Sequence, residues 1–548
     1  MTSTPWVDAR QYDSRSARAD PPDRTAADGL LTALLRQPAG QLTPSVYETG
    51  RLVTLAPWLR GHDQRLRHLV DHQRADGGWG APEGYALVPT LSAVEALLST
   101  LAAGRPAGVP RDELRAAARR GVAALSGWLG TALRMSVPDT PAADLIVPTL
   151  VDAVNGHLRG LDDQPDPRWL PTTAPLLLPA GMDRRRLDAL RGLLAAGRPV
   201  PQKLLHALEV LGPAARHRAD VVPVVGAVGA SPAATAAWLG EPGGTTDPSV
   251  AYLEEAVQRH DGPVPCCTPI SVFERSWVLA NLARAGLRAR PAPSLIAELT
   301  AALGPEGTPT GPGLPADADT TSVTLYALAR AGHPVHPASL IRYEQDGHFC
   351  TWPGEDGRSV TTNAHVLEAL GWHAGRSAAD GDPAARRLLR LARWLREQQH
   401  PDGRWCDRWH ASPYYATSCL VMALDRYAPA AVAAESVDRA VDWVVGTQRA
   451  DGSWGRWSGS REETAYALHV LLGVSRPVRP GVAESARRGV AYLSATTGRQ
   501  DDPPLWHDKD LYAPVLIVRS AVVAAQHLAA ARPELAGPAP TGRRTLSS

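Results

Sequence analysis

One seven-residue pattern occurs three times in this chain. Gln73-Arg74-Ala75-Asp76-Gly77-Gly78-Trp79 returns as Gln399-His400-Pro401-Asp402-Gly403-Arg404-Trp405 and as Gln448-Arg449-Ala450-Asp451-Gly452-Ser453-Trp454. Each copy ends an apolar run with helical spacing: Leu66–Gln73, Leu388–Gln399 and Val437–Gln448. Ten to twelve residues after each Trp, a threonine (Thr90, Thr417, Thr464) sits inside a new apolar run. The unit reads as helix, Asp-Gly turn, Trp, loop, helix. Glycine supplies the positive φ that the turn needs. The Gln side chain is expected to cap a neighbouring helix, with the Trp stacked beside it, tying adjacent hairpins together. Hairpins repeated in this way stack into a solenoid or close into an α/α barrel. The copies lie on both sides of the chain's middle, which suggests two barrel-like domains.

Composition narrows the class. With 548 residues there is room for two or three domains. Hydrophobic residues make up 44% and charged residues 21%, ordinary for a globular protein. A net charge of +1 gives no basic face for nucleic acid. The five cysteines form no CxxC pair and no zinc spacing, which suggests reduced thiols in a cytoplasm. No signal peptide and no membrane span are read from the chain. Helical spacing in 112–133, 184–194, 384–399 and 432–448, with little strand-like alternation, predicts an all-α protein. The aromatic set is skewed to 16 Trp and 12 Tyr against 2 Phe. Electron-rich ring faces suit a cation, although many Trp side chains simply fill gaps between helices.

The chemistry-bearing feature is Asp317-Ala318-Asp319-Thr320-Thr321, which follows Pro312, Gly313 and Pro315 and opens the apolar run to Leu328. Two carboxylates held together cannot easily both ionise, so one keeps its proton. A protonated carboxylic acid in a dry pocket is the group needed to protonate a carbon–carbon double bond. The plainer reading is a helix N-cap, for which Asp and Thr are favoured.

The repeats together with this acid pair resemble the class II terpene cyclases, relatives of squalene–hopene cyclase. Further segments resemble the class II diterpene cyclase branch. These are Ser45-Val46-Tyr47-Glu48-Thr49, Ser231-Pro232-Ala233-Ala234-Thr235-Ala236, the Phe273-Glu274-Arg275-Ser276-Trp277 stretch after Pro269, Glu462-Glu463-Thr464-Ala465-Tyr466-Ala467-Leu468, and Trp506-His507-Asp508-Lys509-Asp510-Leu511-Tyr512. The resemblance runs from about residue 45 to 525. It implies two α/α barrels, called β and γ, with the active site between them. The expected layout is a disordered N-terminus (1–23), the first β-barrel helix (24–41), an inserted γ barrel (42–288), the rest of the β barrel with the acid motif (289–528) and a flexible tail (529–548).

The activity implied is protonation-initiated bicyclisation of a linear prenyl diphosphate, with the diphosphate retained in a labdane-, halimane- or clerodane-type product. Geranylgeranyl diphosphate is preferred over farnesyl diphosphate, which would give a drimane-type product. A class I terpene synthase or a phosphatase would act downstream. By the resemblance Asp319 gives the proton, Asp317 supports it by sharing a proton or hydrogen bond, Thr320 stands where the family has a further acid, and Asn363 bonds and orients the acid. Lys509 and Arg519 would hold the diphosphate, Trp277 and Tyr326 would face the substrate, and Asp144 would associate with Mg2+. His206 matches the histidine of a His–Asn pair that places the final water in plant enzymes; Cys266 stands at the Asn position, so another quenching group is expected. Asp162-Asp163-Gln164-Pro165-Asp166 fits a class I pattern but contains a proline and lacks a partner motif, so it reads as a surface loop. Competing readings are a triterpene cyclase acting on squalene and a non-catalytic helical-repeat binding protein, which would leave Asp317, Asp319 and Lys509 unexplained.

Overall fold

The computed structural model describes residues 21–535 except 105–107, 130–135, 163–168, 172–173, 242–243, 245, 376–382 and 500. Most of the expected disordered N-terminus, the final residues of the tail and the core of the class I-like motif lie outside the described residues. Within them the fold is helical; the named strands are two antiparallel two-residue pairs, Thr308–Pro309 with Ala316–Asp317 and Trp506–His507 with Leu511–Tyr512.

The repeat does the work expected of it, and more. Gln399 Nε2 donates to Gly403 O within its own turn and to Ser436 O in the next outer helix, both at 2.8 Å. Gln73 and Gln448 repeat this pair of bonds to Gly77 O and Ala117 O, and to Gly452 O and Ser485 O. Each indole N–H returns to the end of the preceding helix: Trp79 to Leu69 O, Trp405 to Leu395 O and Trp454 to Val444 O. The following threonine hydroxyl accepts the Trp backbone amide in all three copies, at 2.8 to 3.1 Å. All three Trp side chains are fully buried. The turn glycine is required twice over. Gly403 has φ of +102°, and a β-carbon there would stand 2.4 Å from Arg439 O.

These ties organise two rings. Six helices pack in a closed circle in chain order: Ser271–Arg284, Ala318–Arg330, Val360–Ala374, Pro413–Tyr427, Arg461–Leu472 and Val515–Ala530, which returns to the first. They are buried along most of their length. The helices between them bury one stripe only. Pro383–Glu397, for instance, buries Leu388, Leu391, Ala392 and Leu395, the spacing of an outer helix with one face on the core. A second circle joins Val46–Leu55, Leu87–Ala103, Ala143–Asp162, the 3-10 segment Gln202–Ala215 and Pro232–Leu239. The first helix, Pro21–Arg36, packs on Val515–Ala530 and so belongs with the larger ring although nearly 240 residues intervene before that ring continues. The fold is thus two α/α barrels.

Three details differ from the sequence reading. Ser271–Arg284 closes the larger ring, so that barrel starts near residue 270 instead of 289. The expected tail begins inside a helix that runs to Ala530 and is followed by a 3-10 turn at Pro533–Leu535. The segment Glu83–Ala103 is long and apolar enough to cross a membrane by composition, yet it is mostly buried as a core helix of the smaller barrel.

Side-chain caps collect at one end of the larger ring. Asp317, Ser359, Ser412 and Ser460 each accept a first-turn backbone amide of their own inner helix. Trp405→Ala is expected to lower the melting temperature markedly, consistent with a loss of about 3–5 kcal/mol for a buried Trp, and Gly403→Ala to lower it as well, because the added carbon meets backbone. A melting curve unchanged in both variants would contradict this account of the repeat.

Candidate active site

Asp317 and Asp319 are divided by helix geometry. Asp317 is the N-cap: Oδ1 accepts Thr320 N at 2.6 Å and Oδ2 accepts Thr320 Oγ1 at 2.8 Å, with Thr310 Oγ1 at 3.4 Å. Both of its oxygens are used, and neither meets Asp319. The expected shared proton between the two acids is therefore replaced by a cap, with Thr320 as its partner. Burial and the nearby Asp319 push the Asp317 carboxyl up to about 7, against the pull of the threonine bonds.

Asp319 lies inside the first turn and uses one oxygen. Oδ1 stands 2.7 Å from His365 Nδ1. Oδ2 has no hydrogen-bond partner among the described residues. The Asp319 side chain keeps 16% of its surface accessible while His365 keeps 1%. Burial holds the Asp319 carboxyl well above the ordinary carboxylate range; the Asp407 charge adds to this and Arg284 partly opposes it. Burial and Arg284 push the His365 imidazole down to about 3. The contact is thus between two neutral groups. His365 Nε2 is buried without a partner. An orphaned acceptor is tolerated better than an orphaned N–H, so the proton of the ring belongs on Nδ1. That N–H donates to Oδ1 and leaves the acidic proton on Oδ2, facing open space.

Asn363 does not reach the acid. Its amide is consumed by backbone: Oδ1 accepts Phe349 N at 2.7 Å, and Nδ2 donates to Phe349 O and Ser359 O. The residue that bonds the acid is His365, two positions on. Residues two apart on a helix face nearly opposite ways, so the segment could present either one, and its sequence does not say which. Asp407, also unforeseen, accepts four bonds at the start of the His365 helix and its loop: from Ser359 Oγ, Thr361 N, Thr361 Oγ1 and Trp409 N, at 2.9 to 3.1 Å.

Aromatic rings line up from the acid toward the C-terminal hairpin. Trp277 meets His365 edge-on at 5.5 Å and donates its indole N–H to Tyr415 OH at 3.1 Å. Phe273, Tyr415, Tyr466, His410 and Trp506 continue the cluster, with neighbouring centroids 4.4 to 6.1 Å apart. Tyr326 is elsewhere. It sits in the barrel core with the Arg284 guanidinium over its face at 5.7 Å, and Arg284 is itself locked to Glu368. Its ring is therefore used by a protein cation.

The expected diphosphate ligands are likewise occupied or remote. Lys509 is fully buried and its ammonium is saturated. It pairs with Glu48 and donates to Glu209 Oε1, Ser231 Oγ and His206 O at 2.8 to 2.9 Å. It is a stitch between the two barrels. Arg519 is exposed on the outer side of Val515–Ala530, in a surface groove with Arg36, Arg461 and Arg499. His206 and Cys266 do meet, at one carboxylate. His206 Nε2 lies 2.8 Å from Asp508 Oδ1 and Nδ1 lies 2.7 Å from Gly229 O, while burial, with the Asp508 charge adding to it, pushes the Cys266 thiol well up. Asp508 raises the imidazole against the effect of burial.

Asp144 is paired with Arg186 at 2.9 Å. Among the described residues no three His, Cys, Asp or Glu side chains gather as a metal ligand set. The groups present around Asp144 do not fit a resident magnesium ion, because its carboxylate is neutralised by a guanidinium.

The chain is similar to known proteins in sequence and in fold. The family model of the squalene-hopene cyclase C-terminal domain matches residues 355–514. The chain is 44% identical over 523 residues to an ent-copalyl diphosphate synthase of Streptomyces sp. (strain KO-3988), covering 93% of this chain and 98% of that one. It is 39% identical over 542 residues to a labda-7,13-dienyl diphosphate synthase of Streptomyces clavuligerus, covering 94% and 95%. The solved structure of an ent-copalyl diphosphate synthase from Streptomyces platensis superposes with a TM-score of 0.86 at 43% identity, covering 92% of this chain and 99% of that one.

The site has a pH signature. Asp317 and Glu463 are raised to about 7 and Glu462 to about 8, so the folded chain holds protons that the unfolded chain has released. Stability therefore falls as pH rises through this window. The buried histidines His365, His410 and His469, depressed to about 3 to 4, act only below the ordinary imidazole value of 6.5 and with opposite sign. The melting temperature is expected to drop steadily from pH 6.5 to pH 8, and a rise across that interval would mean these carboxyls are ionised in the fold.

Proposed function

The chain belongs to the class II diterpene cyclases of the squalene–hopene cyclase superfamily, and from that premise we propose that it cyclises geranylgeranyl diphosphate to a bicyclic diphosphate of the labdane series. The observation that carries this reading is the Asp319 carboxyl, held well above the ordinary carboxylate range by burial, with one oxygen fixed by His365 and the other free. The names of the three relatives described above, each a diphosphate synthase, support a product that keeps the diphosphate.

The raised value of Asp319 explains why the acid is loaded, and it makes the acid weaker, so loading alone is not catalysis. The strength comes from what happens on transfer. As the Oδ2 proton moves to the terminal double bond, a tertiary carbocation and a carboxylate appear a few ångströms apart. His365 Nδ1–H is already aimed at that carboxylate, a preorganised donor that needs no reorganisation. The cation meets the faces of Trp277, Tyr415 and Trp506, each attractive to positive charge when water is excluded. Ring closure consumes two further double bonds. Loss of one proton then ends the sequence, so the product is an isomer of the substrate. We assign that last proton to the Asp508 carboxylate, with His206 as its positioning residue, because both ring nitrogens of His206 are already committed, to Gly229 O and to Asp508 Oδ1.

For the diphosphate we favour the cations that cross between the barrels. Arg186 links Asp144 to Asp356, Lys203 Nζ donates to Pro353 O, and Arg408 pairs with Asp139 at 2.8 Å. Arg185 and Arg186 line a cavity of about 660 Å³ beside them. Any magnesium ion accompanies the substrate in this reading and has no resident ligand set. We further propose the domain division as a smaller γ barrel of about residues 42–270 inserted into a β barrel made of the first helix and the remainder to about 530.

The test is incubation with geranylgeranyl diphosphate and, separately, farnesyl diphosphate, then phosphatase treatment and mass spectrometry. A bicyclic C20 alcohol is expected from the former. Asp319→Asn is expected to reduce turnover by about 10²–10⁴-fold, while His206→Phe still consumes substrate but gives other double-bond isomers. Full activity in Asp319→Asn, or an unchanged product in His206→Phe, would remove the corresponding assignment.

A further inference from the structure

The segment Val221–Gly229 holds a backbone that its sequence does not favour. Val224 and Ala227 exchange both backbone hydrogen bonds, at 2.8 and 3.0 Å. Val225 and Gly226 are therefore the central pair of a tight hairpin, and both have positive φ, 53° and 78°. That is the pattern of a type I′ turn, whose first central position takes Asn, Asp or Gly. A β-branched residue with positive φ is strained. Val225 is nevertheless 74% exposed, and Val222 is 73% exposed. The tip presents two apolar side chains to the outside at a conformational cost that asparagine would avoid.

The hairpin is rigid and lies beside the site. A β-carbon on Gly226 would come within 2.4 Å of Pro248 O, so the turn is packed down against its neighbour. The Val224 side chain comes within 3.3 Å of the β-carbon position at Gly313, on the loop that leads into Asp317. Its base carries positive charge. Arg198 and Arg216 are exposed and have no side-chain partner among the described residues. Two bonds hold the Arg198 stretch to the foot of the hairpin, from Arg218 Nη2 to Arg198 O and from Val200 N to Asp220 Oδ2, and Arg216 lies five residues before Val221 with its side chain beside Gly240. Exposed Leu193 accepts the Arg198 amide. An apolar tip with two exposed arginines toward its base fits an anionic bilayer: the tip enters between headgroup and acyl chain, and the guanidinium groups meet lipid phosphate.

We propose that this hairpin is a reversible contact with an anionic membrane surface, with Val222 and Val225 inserting and Arg198 and Arg216 binding headgroups. The purpose rests on the prenyl diphosphate reading, since such a substrate is an amphiphile that partitions into bilayers. The contact itself does not, and it can be measured with no substrate present.

Full-length protein is sedimented with vesicles of phosphatidylcholine alone and of phosphatidylcholine mixed with phosphatidylglycerol. Binding is expected only to the anionic vesicles and should weaken with salt. A Val222→Ser/Val225→Asn double variant should bind about tenfold less, yet melt no earlier than the wild type, because Asn suits the turn. Absence of wild-type binding to the anionic vesicles, or equal binding by the variant, overturns the proposal. So does a wild-type dimer in solution that the variant lacks, which would make the hairpin a contact between two copies of the chain.

Discussion

A hydrogen bond between two neutral groups, Asp319 and His365, sets the terms for the rest of the site. Kept in water, the carboxyl would ionise and the imidazole would share its proton. Buried together they do neither. The N-capped start of the acid helix fixes one partner, and the start of the Val360–Ala374 helix fixes the other. Asp407 ties that second helix start to the loop after Trp405, so the geometry of the bond depends on a turn that belongs to the middle Gln–Trp repeat. The repeats therefore act on the chemistry indirectly: they hold the ring of inner helices in register, and the register decides which side chains meet.

The seam between the barrels follows a second rule, that buried charges must be paired. Lys509 serves Glu48 and Glu209 at once, and Asp510 accepts Ser45 Oγ and Tyr47 N. These contacts join residues 300 to 465 positions apart in the chain. A buried pair of this kind is weak evidence of net stability and strong evidence of specified geometry, because breaking it strands a charge. The lysine of the Trp506–Tyr512 segment is spent on holding the two barrels in place.

Much of this was legible in the chain. The repeat spacing implied the hairpin unit and the tie from Gln to a neighbouring helix, whereas the indole bond to the preceding helix and the threonine bond to the Trp amide emerge only in the fold. The acid pair was legible as a pair, and the structure makes Asp317 the cap and leaves Asp319 as the candidate acid. What could not be read was facing. Asn363 and His365 are equally polar and two apart, and only tertiary packing decides which reaches Asp319. Lys509 looked available because its partners Glu48 and Glu209 come from the other barrel. Tyr326 looked like a substrate wall because nothing local marks Arg284 as its neighbour. Asp407 belongs to no motif and acts through two loops that meet only in the fold.

The central claim is that Asp319 delivers its own proton, reloads from solvent and leaves the diphosphate untouched. Turnover of geranylgeranyl diphosphate in deuterium oxide reads all three at once. The account predicts a cyclic diphosphate with one deuterium at the carbon that receives the initiating proton, and only a trace of it from Asp319→Asn. A cyclic product without solvent deuterium, or one that has lost its diphosphate, would contradict it.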